Sequence, residues 1–256
     1  MPNIDKFNLQ NKVAIITGSS KGIGKAIAIG LAEQGAHVVI SSRKQDAVDL
    51  VSKEINDSGL SSIGIACHVG EEDQLKNLVQ KTKEAFGGVD ILINNAGINP
   101  VFAPVSQADA AIFDKIININ TKACMLLSNL CYPSMVERGG GSIINIASVE
   151  GLKPSAGLGV YSISKAALNM LTKVQAKEWG PNNIRSNSIC PGLIKTKLSA
   201  ALWQDEKTLS KIERHLPSQR MALPDEMVGL ALFLASDSSS YCTGGIYTAD
   251  GGYMIA

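Results

Sequence analysis

Tyr161 and Lys165 stand four residues apart in the stretch Tyr161-Ser162-Ile163-Ser164-Lys165, a spacing that sets a phenol and an ammonium on one face of a helix. A free phenol has a pKa of about 10, and a nearby positive charge favours the phenolate, each tenfold gain in ionisation being worth about 1.4 kcal/mol. A tyrosine so placed can give up and take back a proton near neutral pH. The same interval also describes a packed ring beside a solvated amine. Which description applies depends on what the rest of the chain brings to this helix.

The elements that would hold the helix in place follow a βαβ rhythm. Short β-branched runs at Val13 to Thr17, Val38 to Ser41, Ile63 to Cys67, Ile91 to Asn94, Ile143 to Ile146 and Ile184 to Ile189 alternate with longer helical patterns. The helices are expected at Gly24 to Gln34, Asp46 to Asp57, Glu72 to Phe86, Phe113 to Glu137 and Val160 to Trp179. A last helix, Asp225 to Ala235, leads to a seventh strand near Gly245 to Ala249. Parallel strands joined by crossover helices are the economical arrangement, giving an α/β fold with one Rossmann-type doubly wound sheet of about seven strands. The 256 residues show no composition shift that would mark a linker, so residues 1–256 read as a single domain.

At the first strand's end the chain reads Gly18-Ser19-Ser20-Lys21-Gly22-Ile23-Gly24. Small residues there let a backbone loop and a helix N-terminus approach a pyrophosphate, and the position between a first strand and its helix points to a dinucleotide. The second strand ends in Ser41-Ser42-Arg43, where an NAD-preferring site places a carboxylate for the ribose hydroxyls. Arg43 instead suits a 2′-phosphate, with Lys21 as a second positive charge, so NADP is expected over NAD with NADH still usable. The alternative is that Arg43 and Lys44 are solvated loop charges.

Taken together, the glycine loop, Asn94-Asn95-Ala96-Gly97, Asn120, Ser148, the Tyr161 and Lys165 pair and Pro191-Gly192-Leu193-Ile194-Lys195-Thr196 resemble the short-chain dehydrogenase/reductase family over almost the whole chain. Ser41-Ser42-Arg43-Lys44 and Cys67-His68-Val69-Gly70 look most like its NADP-dependent carbonyl and retinal reductase branch. The resemblance implies that Tyr161 gives a proton to a carbonyl oxygen, that Ser148 hydrogen-bonds the same oxygen, and that Lys165 lowers the phenol's pKa and binds the nicotinamide ribose. It implies that Asn120 kinks a long helix and holds a water linking Lys165 to solvent. It also places Asn95, Ala96 and Gly97 on the adenosine side, and Pro191, Gly192, Ile194 and Thr196 toward the carboxamide end. One departure is His68, which stands where family members commonly carry Asp against the adenine amine; Val69 can serve adenine through its backbone.

The segment at about 195–222, with Leu198, Leu202, Trp203, Ile212, His215, Leu216 and Met221, resembles the family's mobile substrate lid, and Val149 to Ser155 with Asn99 to Val105 would supply the other walls. A medium-sized hydrophobic ketone or aldehyde is the expected substrate, with 3-oxoacyl (ACP or CoA) reduction as the alternative and a non-catalytic dinucleotide-binding protein as a third reading. Lys122, Arg138 and Lys173 are too dispersed to mark a docking surface for an acyl carrier. The formal charge of +1 without a basic run argues against nucleic acid. Five cysteines without a CxxC pair fit reduced thiols in a cytoplasm, and scattered His37, His68 and His215 suggest no metal. The polar stretch Met1 to Gln10 and the lack of a long apolar run argue against a leader and a membrane span. The helices from Phe113 and Val160, with Pro224 to Ala256, resemble surfaces that build homotetramers.

Overall fold

The β-branched runs fold as seven parallel strands: β1 (Val13–Thr17), β2 (His37–Ser42), β3 (Ser62–Ala66), β4 (Ile91–Asn94), β5 (Gly141–Ile146), β6 (Ile184–Pro191) and β7 (Ile246–Ala249). The structure, a computed structural model, describes residues 6–256; of the polar N-terminal stretch Met1 to Gln10, residues 1–5 lie outside those described. The sheet order is β3-β2-β1-β4-β5-β6-β7. Ile15 and Ile16 of β1 are both wholly buried, in two different apolar clusters on opposite faces of the sheet. A strand buried on both sides must be apolar throughout, which is why these runs show no polar alternation. Each such side chain contributes about 1.5–3 kcal/mol of burial.

Helices α1 (Gly22–Glu33), α2 (Gln45–Asp57) and α3 (Glu72–Phe86) connect the first four strands. The order of winding reverses between β1 and β4, so the carboxyl ends of these two strands flank a crevice. At the opposite, amino edge the same two strands are fixed by Asp90, which accepts from Val13 N at 2.8 Å and pairs with Arg138 through two 2.8 Å hydrogen bonds. Arg138 is therefore spent on the sheet.

The helix expected as one run from Phe113 to Glu137 is divided. α4 (Ala110–Ile117), started by Asp109 accepting from Ile112 N, gives way to a wider turn at Asn118–Lys122 before α5 (Ala123–Glu137). Such a widening commonly marks a functional position. α6 (Gly159–Trp179) carries Tyr161 and Lys165. Beyond β6, α7 (Ala200–Trp203) and α8 (Glu206–Glu213) form an excursion whose base is closed by a parallel bridge between Ile194 and Ala222. The expected helix Asp225 to Ala235 begins as a tighter turn at Pro224–Met227 and continues as α9 (Val228–Ala235). No described helix is long and apolar enough to cross a membrane.

Candidate active site

The loops after β1, β4, β5 and β6 meet at the carboxyl edge of the sheet. Thr17 joins the first two: its hydroxyl accepts from Asn95 N and Ala96 N, both at 3.0 Å, and its carbonyl accepts from Asn95 Nδ2 at 2.8 Å. Gly24 shows how closely these loops fit. A Cβ there would collide with Asn95 Nδ2 and lie 2.8 Å from Gly18 O, so α1 can begin beside the β4 loop only with glycine at this position. Lys21 precedes α1 with no side-chain cap, and the first turn holds no acidic residue. An uncapped helix N-terminus at a chain reversal fits an anionic diphosphate.

A Cβ on Gly22 would sit 3.5 Å from Thr196 Cγ2, so the glycine loop adjoins the base of the β6 excursion. Arg43 and Lys21 are exposed, and neither takes part in an ion pair among the described residues. Ser41 Oγ, at the end of β2, is buried without a hydrogen-bond partner. This end of the cleft therefore offers two exposed cations, a donor set that suits a phosphorylated ribose. The expected acceptor role of His68 is not available at Nδ1. That nitrogen accepts from Gly70 N at 3.2 Å, so the neutral ring carries its proton on Nε2 and would donate there.

At the other end, Ser148, Tyr161, Lys165 and Asn120 converge. Ser148 follows β5, and its Oγ accepts from Glu150 N at 3.1 Å, leaving its proton to donate elsewhere. Lys165 is 4% exposed, donates from Nζ to Ile146 O at 2.8 Å, and lies 5.7 Å from the Tyr161 ring centre. Gly97 faces it, since a Cβ there would be 3.4 Å from Lys165 Nζ. Asn120 is fully buried in the wide turn and exchanges two hydrogen bonds with Ile98, 2.8 Å from Ile98 N and 2.9 Å to Ile98 O. The same amide donates to Ser164 Oγ at 3.0 Å. Its side chain is thus committed to protein partners, and Asn118 is bound separately to Gly70 O.

The electrostatics correct one expectation. Burial pushes the Tyr161 phenol up to about 12; the neighbouring Ser148 hydroxyl offsets part of this, while Glu150 and Cys190 add to it. Burial also holds the Lys165 ammonium below its ordinary range, with the Cys124 and Cys190 thiols opposing that shift. The net shift of the phenol is therefore upward, opposite to the expectation. The Lys165 charge is directed at the Ile146 carbonyl, and loss of solvent dominates for both groups.

The outer walls are partly as expected. Trp203 is half-buried and donates from Nε1 to Thr196 O at 2.9 Å, with Lys195 Nζ 5.3 Å above its ring, so the indole braces the base of its own excursion. Phe102 and Leu198 remain exposed, and Ala103 N donates to Gly157 O at 3.0 Å, clasping one wall loop to the other. Sequence reasoning missed Thr17, Ser164 and Thr121, whose hydroxyl donates to Ser164 O at 2.9 Å. Nothing in their residue types distinguishes them from ordinary strand and helix hydroxyls.

The residues in this arrangement match known proteins along nearly the full chain. The family model described as enoyl-(acyl carrier protein) reductase matches residues 18–254. A relative in Oryctolagus cuniculus, dehydrogenase/reductase SDR family member 4, is 45% identical over 244 residues, 95% of this chain and 94% of its own. A gluconate 5-dehydrogenase from Burkholderia cenocepacia, solved in complex with NADP and tartrate, superposes with a TM-score of 0.95 at 32% identity, covering 99% of both chains. A 7α-hydroxysteroid dehydrogenase complexed with NADH and 7-oxo glycochenodeoxycholic acid superposes with a TM-score of 0.94 at 36% identity, covering 98% of both chains. With the family model spanning residues 18–254 and a relative 45% identical over 95% of the chain, the chain belongs to the short-chain dehydrogenase/reductase family.

Proposed function

We propose that the protein is an NADPH-dependent oxidoreductase that reduces a ketone or aldehyde to an alcohol, and runs the reverse oxidation. The observation that carries this reading is the convergence of Ser148, Tyr161 and Lys165 at the carboxyl edge of the sheet, opposite a diphosphate cradle that ends in Arg43 and Lys21. A nicotinamide dinucleotide, when bound, supplies the hydride. Tyr161 donates its phenolic proton to the carbonyl oxygen. Ser148, its acceptor side occupied by Glu150 N, directs its own proton to the same oxygen and opposes the charge that builds there. Lys165 stands between the phenol and the Gly97 loop, where it reaches a ribose hydroxyl, and Asn120 keeps that loop and α6 in register.

Cofactor contacts are assigned to Gly18, Ser20, Lys21, Gly22, Ile23 and Gly24 at the diphosphate, Arg43 at the 2′-phosphate, and His68 and Val69 at adenine. Asn95, Ala96 and Gly97 take the adenosine side, and Pro191, Gly192, Ile194 and Thr196 the carboxamide end. The neighbour solved with NADP supports the preference, and the one solved with NADH leaves NADH usable.

Residues 1–256 form one functional domain with the substrate lid at about 195–222, its two ends joined by the bridge between Ile194 and Ala222. The exposed apolar rim of Phe102, Val105, Leu152 and Leu198 favours a hydrophobic carbonyl compound. Exposed Ile163, Met170 and Val174 on α6, with Phe113 on α4 and Met125 on α5, suit burial in a homotetramer, and cytoplasmic placement fits five unpaired cysteines.

A second reading, 3-oxoacyl thioester reduction, is favoured by one feature. Lys207, Lys211 and Arg214, with Glu206 and Ser210, line a single depression along α8 whose three cations outnumber its one carboxylate and would meet an anionic carrier. Consumption of NADPH and NADH against a panel of ketones, aldehydes and 3-oxoacyl-CoA decides between the two. The first reading predicts turnover of free carbonyl compounds. Turnover of thioesters alone supports the second, and dinucleotide binding without turnover supports neither.

A further inference from the structure

The segment that follows β7, Asp250 to Ala256, turns back on itself and meets three loops. Both oxygens of Asp250 are spent on the turn: Oδ1 accepts from Gly252 N and Oδ2 from Met254 N, each at 2.9 Å. Gly251 and Gly252 have φ of +62° and +91°, a region side chains rarely adopt. A Cβ on Gly251 would collide with Ser218 Oγ and one on Gly252 with Pro217, both in the return of the lid segment. Ser218 N donates to Gly251 O at 3.0 Å, so the turn is bonded to that return. A Cβ on Gly192 would lie 2.7 Å from Asp250 Cα, which sets the turn on the loop after β6 as well.

Beyond the turn, Tyr253 reaches the wall loop between Ser148 and α6. Ser155 Oγ gives its proton to Glu150 Oε1 at 2.7 Å, so in its 3.2 Å contact with Tyr253 the Tyr253 hydroxyl is the donor. Glu150 Oε2 accepts from Ser155 N at 2.8 Å and from Ser162 Oγ at 3.2 Å, which carries the connection to the first turn of α6, one residue past Tyr161. Lys153 closes the same contact: its Nζ donates to Ala256 O at 2.7 Å and lies 5.0 Å from the centre of the Tyr253 ring. The lid's return and the loop that begins at Ser148 are thus joined through Asp250–Ala256.

We propose that Tyr253 and Lys153 are positioning residues for the carbonyl substrate, a role that rests on the reductase reading: they make Asp250–Ala256 a strap that holds the lid's return, at Pro217 and Ser218, to the wall loop beside Ser148. Fixing lid and wall relative to each other before the substrate arrives removes part of the ordering cost of binding. The strap therefore acts on affinity for the carbonyl compound, and leaves the proton transfer and the dinucleotide cradle unchanged.

Two mild substitutions test this. Tyr253→Phe removes the hydrogen bond to Ser155 and keeps the ring beside Lys153, whereas Lys153→Met removes the cation and keeps its apolar stem. Steady-state kinetics with the carbonyl compound turned over best, NADPH affinity, and amide hydrogen exchange at Ser155 and Ser218 are measured for each. KM for the carbonyl compound is expected to rise about three- to tenfold, with kcat and NADPH affinity within about twofold. Exchange at Ser218 should quicken in Lys153→Met, although Lys153 lies on the wall loop and Ser218 in the lid, and Lys153→Arg should restore both readouts. An unchanged KM in both variants, an equal loss of NADPH affinity, or unchanged exchange at Ser218 would overturn the proposal. Because exchange needs no turnover, faster exchange at Ser218 in a protein that reduces nothing would uphold the strap and reject the reductase reading.

Discussion

Asn120 Nδ2 donates to Ser164 Oγ at 3.0 Å, and Ser164 Oγ in turn donates to Tyr161 O at 2.7 Å, so the wide turn between α4 and α5 holds the backbone of the residue proposed to transfer the proton. The same amide holds Ile98 through two further bonds. Asn120→Ala would strand buried donors and acceptors on both neighbours, at a cost of about 2–4 kcal/mol. Urea unfolding is expected to show that loss. kcat should fall more than affinity for the dinucleotide, because Tyr161 and Lys165 move relative to the β4 loop while the glycine loop stays in place.

The fit of Gly24 against Asn95 makes a separate prediction. Gly24→Ala forces a methyl group into the Asn95 amide and toward Gly18 O, and overpacking of this kind costs about 1–3 kcal/mol. The strain falls on the helix start that would receive the diphosphate. NADPH affinity, read by quenching of intrinsic fluorescence, is expected to drop by about tenfold or more, and an unchanged affinity would separate the cradle from cofactor binding.

Arg43 stands exposed at the end of β2, where no carboxylate is available for ribose hydroxyls. A forked, charge-assisted contact with a 2′-phosphate is worth about 1.5–3 kcal/mol. Arg43→Ala is therefore expected to lower the ratio of NADPH to NADH efficiency by about tenfold or more, mainly through NADPH. An unchanged ratio would remove Arg43 from the site.

How far the sequence led depended on whether a feature was local or assembled. The strands were legible because β-branched runs such as Ile91–Asn94 must be apolar on both faces, and α3 matched its expected bounds of Glu72 and Phe86. Tyr161, Lys165 and Ser148 were legible because their types and order carry the chemistry. The break at Asn118–Lys122 was legible only as a kink implied by resemblance, since Ile117, Asn118 and Ile119 continue a helical pattern. What opens the turn is the bond between Asn120 and Ile98, 22 residues apart in sequence. The Tyr161 pKa departs from its sequence expectation for a related reason: spacing gives the separation of phenol and ammonium along a helix, whereas their ionisation depends on how far the folded chain withdraws them from solvent.

That ionisation bears on stability. With Tyr161 raised from its ordinary value near 10 to about 12, the folded state holds this proton more tightly than the unfolded state. The stabilisation is complete below about pH 10 and is lost as pH rises toward 12, by about 2–3 kcal/mol. Buried Cys67, Cys124 and Cys131 thiols act in the same sense, and Lys165, pushed down, in the opposite one. Comparison with Tyr161→Phe isolates the phenol: the wild type's advantage in chemical denaturation should shrink between about pH 10 and 12. A difference independent of pH would mean that the phenol titrates at its ordinary value.

The central claim is that Tyr161 transfers the proton in a reaction that consumes NADPH. NADPH oxidation with the best carbonyl compound of the panel, in wild type and Tyr161→Phe, together with NADPH affinity for both, tests it most directly. Loss of the phenolic proton should lower kcat by about 100-fold or more while NADPH affinity stays within about threefold. Equal turnover in the two proteins, or NADPH binding without turnover in the wild type, would contradict it.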